Sequence, residues 1–586
     1  MLAIALTSAA PLSAAPERAP QWREYGPAVF EEARRDGKLV LLNVGAVWCH
    51  WCHVMDEKTY ADERILDVLE RHYVTTRVDQ DARPDLSLRY ERWGWPATVI
   101  LTADGSELVK RKGYVPPEVM LSLLEAVVAD PTPGPSVVPE PPVVPGATAL
   151  SAEQRRYLMD QHDLFYDTDN GGWGRRLKLI DADSLEWAVA RGRSGEIEQE
   201  KRARRTLDQA LYLEDPVWGG FYQYSDESDW RSPHYEKIVQ IQAVNMRAYA
   251  QAAVLYGEER YLRAARRTAV YMTTHLGGPG GTFFVSQNAD AGPGLSGREF
   301  YAKGAFARWI SPLKPAVDRH VYARENGWMI SALSQLHQAS GERRWLDRAL
   351  SAAEWVVLNR ADDQGGYRHD ETDPAGPYLG DTLAMGQAFL DLYVSTADRR
   401  WLELSVRAAG RIEKSFKDPE TGYISAVISA GLTGEVSRPV RHPGENIQLA
   451  RWANLLSRYT GQTEHRVMTE HAMRYLSSEA VINGYALLPG ILLADAELGS
   501  DPLHVTVVGS RSDARTRQLY AEALALPGAY RRIELWDRAE GPLPHADVEY
   551  PELERPAAYL CDSGACSAPI TEPGRLKGRL LPAERT

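Results

Sequence analysis

A chain of 586 residues, 44% apolar and 25% charged, has ample material for a packed interior and is too long for one ordinary domain. Its net charge of −13 excludes the basic footprint that nucleic-acid binding requires, and no run approaches the ~18 apolar residues of a membrane span. Sixteen Trp and 28 Tyr stand against 9 Phe, a balance that suits clefts for polar ligands because both rings carry a polar tip; Trp packed into loops for structural reasons gives the same count.

Residues 1–19, "MLAIALTSAAPLSAAPERA", have an apolar stretch and a small-residue end at Ser13-Ala14-Ala15 but lack a positive start. They read as a signal peptide or as an Ala-rich disordered tail; the first places the protein in the periplasm or outside the cell, the second leaves it cytoplasmic. Residues 20–130 alternate in period. "GPAVFEEARRDG" is an amphipathic helix with a Gly stop, and "KLVLLNVGAVW" is a buried strand. "CHWCHVMDEKTYADERILDVLERH" reads as one helix, "YVTTRVD" as a strand, "PATVILTADGSELVKRKG" as a hairpin and "PPEVMLSLLEAVVAD" as a closing helix.

Seven prolines within residues 130–147 favour extended polyproline II, so 131–149 is expected to be a stiff linker. From 150 to 499 the pattern is helical and repeats in pairs, roughly twelve helices in all. Turns such as "YGEERYL", "SGERRWL" and "TADRRWL" alternate with Gly-aromatic loops, "GGWG", "GGFYQY", "GGTFFV", "GGYRHD" and "TGYISA". Polar, aromatic loops after every second helix gather on one rim, which favours a closed (α/α)6 barrel with a cleft there over an open solenoid. Residues 500–586 change again, with strands "HVTVVG" and "YRRIELW" around an Arg-rich helix, a small α/β region that ends near "YLCDSGACSAP".

Both cysteines of the first 560 residues lie in "VWCHWCHVM". C-x-x-C-H is shared by redox dithiols, covalent haem sites and halves of zinc sites. Haem requires a helical, haem-wrapping domain and a second axial ligand, whereas this motif sits between a strand and a helix in a thioredoxin-like order. Zinc would need a second pair of ligands, and the same domain offers only His72. A purely structural disulfide closing so short a loop stabilises little. The dithiol reading is therefore preferred. Cys49 at the helix N-terminus meets unsatisfied N–H groups and the positive end of the dipole, which lower its pKa and make it the attacking thiol. Cys52, one turn further in, is expected to be the less exposed resolving thiol. His50 and His53 add partial positive charge, and Trp48 and Trp51 frame the pair. Trp95-Pro96 precedes an apolar strand, as an ordinary strand-entry proline or as a cis-proline beside the dithiol.

"WCHWCHVM", "VDQDARPDL" and "GWPATVILTADG", followed by "GGFYQYSDESDWRSPHYEKI", "ENGWMI", "LGDTLAMGQAFLDLY", "HPGENIQLA" and "AYLCDSGACSAP", resemble the spermatogenesis-associated protein 20-like family in the family's own order, from about residue 25 to 572. The resemblance implies a thioredoxin-like domain followed by a six-hairpin glycosidase-like barrel similar to N-acylglucosamine 2-epimerases, with no defined activity. Several motifs depart from it. Ile241 stands where the family has an acid, "NADA" keeps only Asp290, Glu325 replaces a Trp, and Asp381 survives in "LGDTL". Asn43 occupies the position of the buried Asp that in thioredoxins moves protons from the resolving thiol, which leaves that task to His53, Glu57 or water.

A sugar-acting cleft needs converging carboxylates or a His pair. The candidates are His234, Glu236, Asp290, Glu325, Asp381 and His369, each of which also reads as a helix cap or loop hydrogen bond, the assignment we prefer residue by residue. Cys561 and Cys566 form a C-x4-C pair whose state stays open: local disulfide, free thiols or a partner for Cys49. The leading reading is a thiol-disulfide oxidoreductase using Cys49, Cys52 and Pro96, with a disulfide-containing protein or thiol as partner and no cofactor or metal. The alternatives are a carbohydrate epimerase or glycoside hydrolase acting in the barrel, and a non-catalytic scaffold or chaperone.

Overall fold

A computed structural model describes residues 18–139, 141–292, 294–373, 375–427, 431–562 and 565–576. The leader-like stretch lies, up to residue 17, outside the described residues. The chain sorts into two compact units. The first comprises residues up to 80 together with 89–139 and 431–438; the second comprises 81–88, 141–427 and 439–576.

The first unit has a thioredoxin-like fold. Its elements run β1 (Arg23–Glu24), α1 (Pro27–Asp36), β2 (Leu39–Gly45), α2 (His50–Lys58), α3 (Glu63–His72), β3 (Tyr73–Asp79), β4 (Ala97–Leu101), β5 (Glu107–Lys112) and α5 (Pro117–Ala129), while α4 (Pro84–Tyr90) follows β3 across the division between units. The sheet order is β1-β3-β2-β4-β5, with β1, β3 and β2 parallel and β4 and β5 antiparallel. β2 is central and apolar along nearly its whole length, as a strand covered on both faces must be. Leu41, Met55, Ile65, Leu69, Ile100, Met120 and Leu124 pack into one cluster.

The single helix expected over 49–72 is two. Thr59 turns out of α2 to donate its hydroxyl to the Val115 carbonyl at 2.7 Å, and Asp62 restarts the chain by accepting from the Arg64 amide at 2.9 Å. Such a cap offers the backbone an alternative to continuing the helix. The first half of the Pro-rich stretch is also tied down, with the Gly134 amide on the Leu108 carbonyl and the Lys110 amide on Ser136 Oγ, both at 2.9 Å.

The second unit is an (α/α)6 barrel. Its helices are α6 (Ala152–Phe165), α7 (Ala182–Arg193), α8 (Ile197–Ala210), α9 (Val239–Tyr256), α10 (Glu259–His275), the short α11 (Gly297–Tyr301) and α12 (Ala305–Ile310), α13 (Ala323–Ser340), α14 (Arg343–Arg360), α15 (Leu379–Thr396), α16 (Arg399–Ser415), α17 (Pro443–Thr460), α18 (Thr463–Leu476), the short α19 (Glu479–Gly484) and α20 (Pro489–Leu498). Helices α9, α13, α15, α17, α20 and α7 pack in succession as an inner ring, backed by α10, α14, α16, α18, α6 and α8. Sequence pattern separates the two rings. α15 is buried along nearly its whole length, whereas α16 buries only Trp401, Leu402, Ser405, Ala408, Ala409 and Ile412, one stripe at helical spacing. Gly327 lets α13 and α15 approach, since a Cβ there would stand 2.7 Å from the Ala384 backbone.

Four of the five Gly-aromatic loops share one construction. The amides of Phe221, Phe283, Tyr367 and Tyr423 donate to Gln242 Oε1, Asn326 Oδ1, Thr382 Oγ1 and Asn446 Oδ1 at 2.7, 2.9, 3.2 and 2.8 Å. Each acceptor is the fourth residue of the inner helix that follows. A loop amide that would otherwise be buried without a partner is thereby pinned to the next helix. Beside these loops β6 (Tyr224–Ser225) pairs with β7 (Pro233–His234), and β8 (Lys237–Ile238), β9 (Ser286–Gln287) and β10 (Val317–Asp318) form a small sheet.

The C-terminal region is a four-stranded sheet, β11 (Leu503–Val508), β12 (Arg531–Trp536), β13 (Ala557–Asp562) and β14 (Ala565–Cys566), in the order β12-β11-β13-β14, with α21 (Ala514–Leu524) crossing between the parallel β11 and β12. Val505, Val507, Ile533, Leu519 and Ala523 join the barrel's own apolar core.

Candidate functional site

Cys49 is the N-cap of α2, its sulfur accepting from the Cys52 amide at 3.1 Å, and the two cysteines are joined as a disulfide with Cα atoms 5.3 Å apart. The Trp95–Pro96 peptide bond is cis and Pro96 is buried. Because Val44 pairs with Ala97 across β2 and β4, the cis-proline turn lies at the sheet end where β2 runs into the dithiol. The Val47 amide donates to Asp79 Oδ2 at 3.0 Å, fixing the turn that leads to Trp48. Val47 and Trp51 are exposed at 46% and 42%, and Trp51 stacks on Tyr114 at 5.8 Å. An apolar surface thus flanks the sulfurs.

The relative exposure of the two cysteines is the reverse of the sequence expectation: Cys49 is 4% exposed and Cys52 is the partly exposed one. The N-cap position folds Cys49 back over its own first turn, with its sulfur on the Cys52 amide. Roles assigned from helix position therefore do not follow from accessibility.

Behind the pair, Asn43 faces Arg77 in the β2–β3 register. Asn43 Oδ1 accepts from Arg77 Nε at 3.1 Å, and its amide lies 3.4 Å from the Tyr60 hydroxyl. Arg77 is clamped by both oxygens of Asp56 and lies over the Trp22 ring at 4.1 Å. Burial pushes the Tyr60 phenol well above its ordinary range, so it stays neutral. The carboxylate drawn into this network is Asp56, one turn beyond Cys52. Gly45 leaves room for the Cys52 sulfur, which a Cβ there would meet at 3.3 Å.

In the barrel, Glu325, Asp381 and His369 come together at the N-termini of α13 and α15. Arg324 binds Glu325 Oε1 at 2.6 Å and donates its amide to Asp381 Oδ1 at 2.8 Å. His369 places Nδ1 2.8 Å from Asp381 Oδ1 and Nε2 2.7 Å from the Asp81 carbonyl, beneath the Tyr322 ring at 4.1 Å. Burial opposes its charge, but Asp381 overcomes this and raises the imidazole to about 9. With an acceptor at each nitrogen it is an imidazolium donating two hydrogen bonds.

The remaining candidates stand in other contacts. His234 stacks on Tyr224 at 4.3 Å and reaches Asp226 at 3.3 Å, with the buried Glu236 3.9 Å from its other nitrogen. Asp290 accepts from the Gly297 amide at 2.8 Å, closing its loop. Lys237 is fully buried against Asp215, which also takes Arg308.

Sequence reasoning missed a second polar set on the inner helices. Arg451 bridges Glu186 and Glu497 and stands 4.0 Å from Asp183. Asp183 keeps 38% of its side-chain surface accessible beside this set. Burial raises its pKa to about 7 against the pull of Arg451. Asp391 is likewise raised by burial, with Arg247 opposing. The one available signal was a charge on the inward face of helices such as "ENIQLARWANLL".

Residues 6–128 match the family described as Thioredox_DsbH, protein of unknown function, DUF255. Human spermatogenesis-associated protein 20 is 24% identical over 96% of this chain and 90% of its own length. Among solved structures, a cellobiose 2-epimerase from Bacillus thermoamylovorans is 12% identical with a TM-score of 0.43, over 55% of this chain and 86% of its own. A D-mannose isomerase is 14% identical with a TM-score of 0.44, over 56% and 86%. Along nearly its whole length, through thioredoxin-like domain and barrel alike, this chain is similar to the spermatogenesis-associated protein 20-like family.

Proposed function

We propose that the chain is a thiol-disulfide oxidoreductase acting through Cys49 and Cys52, with Pro96 shaping the site for a disulfide-containing protein. The observation that carries this reading is a cysteine pair at the start of α2, at the sheet end of a cis-proline turn and flanked by exposed apolar side chains. With the pair reduced, the Cys49 thiolate is favoured by the Cys52 amide and the helix N-terminus. It attacks a substrate disulfide and expels one substrate thiolate. Cys52 then attacks the Cys49 sulfur and releases the second, two electrons passing from the dithiol to the substrate. Asn43, Arg77 and Asp56 serve as the polar backing for Cys52 in place of a buried acid. Export to the periplasm or beyond suits this chemistry, because disulfides persist there. The test is insulin reduction by the full chain and by Cys49→Ser: loss in the variant supports the reading, and unchanged turnover sinks it. Cys52→Ser is expected to trap a mixed disulfide at Cys49.

A second reading has its own support. A part-exposed Asp183 whose pKa is raised to about 7 beside Arg451, with Glu186 and Glu497 on the same arginine, suits a hydroxyl-rich ligand, and a carbohydrate is proposed. A sugar panel that neither shifts the melting temperature nor is turned over would remove it.

A further inference from the structure

One face of the C-terminal sheet buries a run of polar side chains beside its apolar cluster of Leu543, Tyr550, Ala557 and Tyr559. Strand register places Arg532 and Glu534 on β12 beside His504 and Thr506 on β11, and these beside Cys561 and Tyr559 on β13. Arg532, Glu534, His504, Thr506 and Cys561 are all at least nine-tenths buried. Cys561 pairs across the hairpin with Cys566, to which it is joined as a disulfide, with Cα atoms 4.0 Å apart. The Tyr550 hydroxyl lies 3.7 Å from Cys561 Sγ and donates to Thr506 Oγ1 at 2.8 Å. Thr506 Oγ1 lies 3.0 Å from His504 Nε2, which lies 3.3 Å from Glu534 Oε2. Arg532 closes the series, binding Glu534 at 2.9 Å and Asp547 at 2.6 Å. A staple linking residues five apart needs no such chain, and buried polar groups are costly to assemble for a bond that closes so short a loop.

We infer that Cys561–Cys566 is a second redox centre of this chain, reduced by a dithiol, with Tyr550 as the hydrogen-bond donor to the Cys561 sulfur. Cys566 is the partly exposed sulfur and Cys561 the buried one, so an incoming thiolate attacks Cys566. The S–S bond breaks and Cys561 leaves as a thiolate. The Tyr550 proton turns from Thr506 to that thiolate, while Thr506, which both donates and accepts, stays bonded to His504. The donor's second thiolate then attacks its own sulfur in the mixed disulfide and releases Cys566. Two electrons have passed from the dithiol, which ends as a disulfide; its two protons go to solvent, from which the released Cys566 thiolate takes one while Cys561 stays a thiolate under Tyr550. Burial pushes the Tyr550 phenol up to about 12, which keeps it a neutral donor. The ionisable groups facing the cysteine are His504, Glu534, Arg532, Asp547, Tyr550 and Tyr559.

The test uses the full chain with Cys49→Ser and Cys52→Ser, so that the first pair is silent and failure of its proposed role is read separately. The protein is equilibrated with dithiothreitol, alkylated and weighed intact, with helical circular dichroism followed in parallel. The expected result is reversible gain of two alkylated thiols with no loss of helix signal. Adding Tyr550→Phe should slow reduction about tenfold, the worth of one charge-assisted hydrogen bond, and should raise the pH at which the Cys561 thiolate absorbance appears. Thr506→Val, one step further along, should give a smaller change of the same sign. Cysteines that stay unreduced until the protein unfolds, reduction that melts the fold, or a Tyr550→Phe variant with unaltered rate and thiolate titration would each overturn the inference.

Discussion

Replacing His369 tests the electrostatics of the barrel rim. Asp381 and the Asp81 carbonyl each accept one N–H of this buried imidazolium, and its pKa rises to about 9 from ~6.5 in the unfolded chain. A raised pKa means that the folded state holds the proton more tightly. The contribution is therefore fully present below pH ~6.5 and is lost as pH climbs through about 9. Two and a half pKa units at 1.36 kcal/mol each give about 3 kcal/mol. His369→Gln cannot titrate. Urea unfolding of both proteins, followed by helical circular dichroism at pH 6 and pH 10 and constant ionic strength, gives a double difference in which all other titrations cancel. We expect the wild-type advantage to shrink by about 3 kcal/mol between the two pH values. An advantage that is equal at both would refute the charged assignment, and so would one that grows with pH.

Asp215→Asn should cost about 3–5 kcal/mol, because Lys237 and Arg308 would be left as buried cations without their shared counter-ion; urea midpoints measure it. Ala397 holds a left-handed φ of 54° at the end of α15, where α9, α13 and α17 end in Gly, so Ala397→Gly should stabilise by about 1 kcal/mol. Gly45→Ala puts a Cβ 3.3 Å from Cys52 Sγ; in a stopped insulin reaction the mixed disulfide at Cys49 should then accumulate, and unaltered intermediate levels would argue against a mobile Cys52. Asp183→Asn should remove any pH dependence near 7 from ligand-induced thermal shifts of the barrel.

Much of the fold was legible because period and punctuation agree along the chain. The alternation of "KLVLLNVG", the Gly stops of α1, α9, α13 and α17 and the aromatic loops each mark an element that the structure contains. The break at 59–62 was hidden because Met55, Tyr60, Ile65 and Leu69 continue an apolar pattern across it, and the partner of Thr59 lies 56 residues away. The dithiol was visible as a motif, but its backing was not. Arg77 meets Asn43 only through strand pairing, and Asp56 meets Arg77 only through that. Charges inside the ring are the hardest class. In one dimension Arg451 and Asp183 look like the solvent side of amphipathic helices, and only ring closure turns them inward.

The pins between loop amides and the fourth residue of each following helix have a consequence for how such a chain diverges. Each pin uses one side chain and the backbone of one loop residue, so it specifies where a loop begins its return without fixing what the rest of the loop carries. A lineage can therefore exchange rim acids and aromatics one loop at a time while inheriting the scaffold intact. The four pins of this chain are made by Gln242, Asn326, Thr382 and Asn446, so different side chains with an acceptor oxygen serve the same place on each helix.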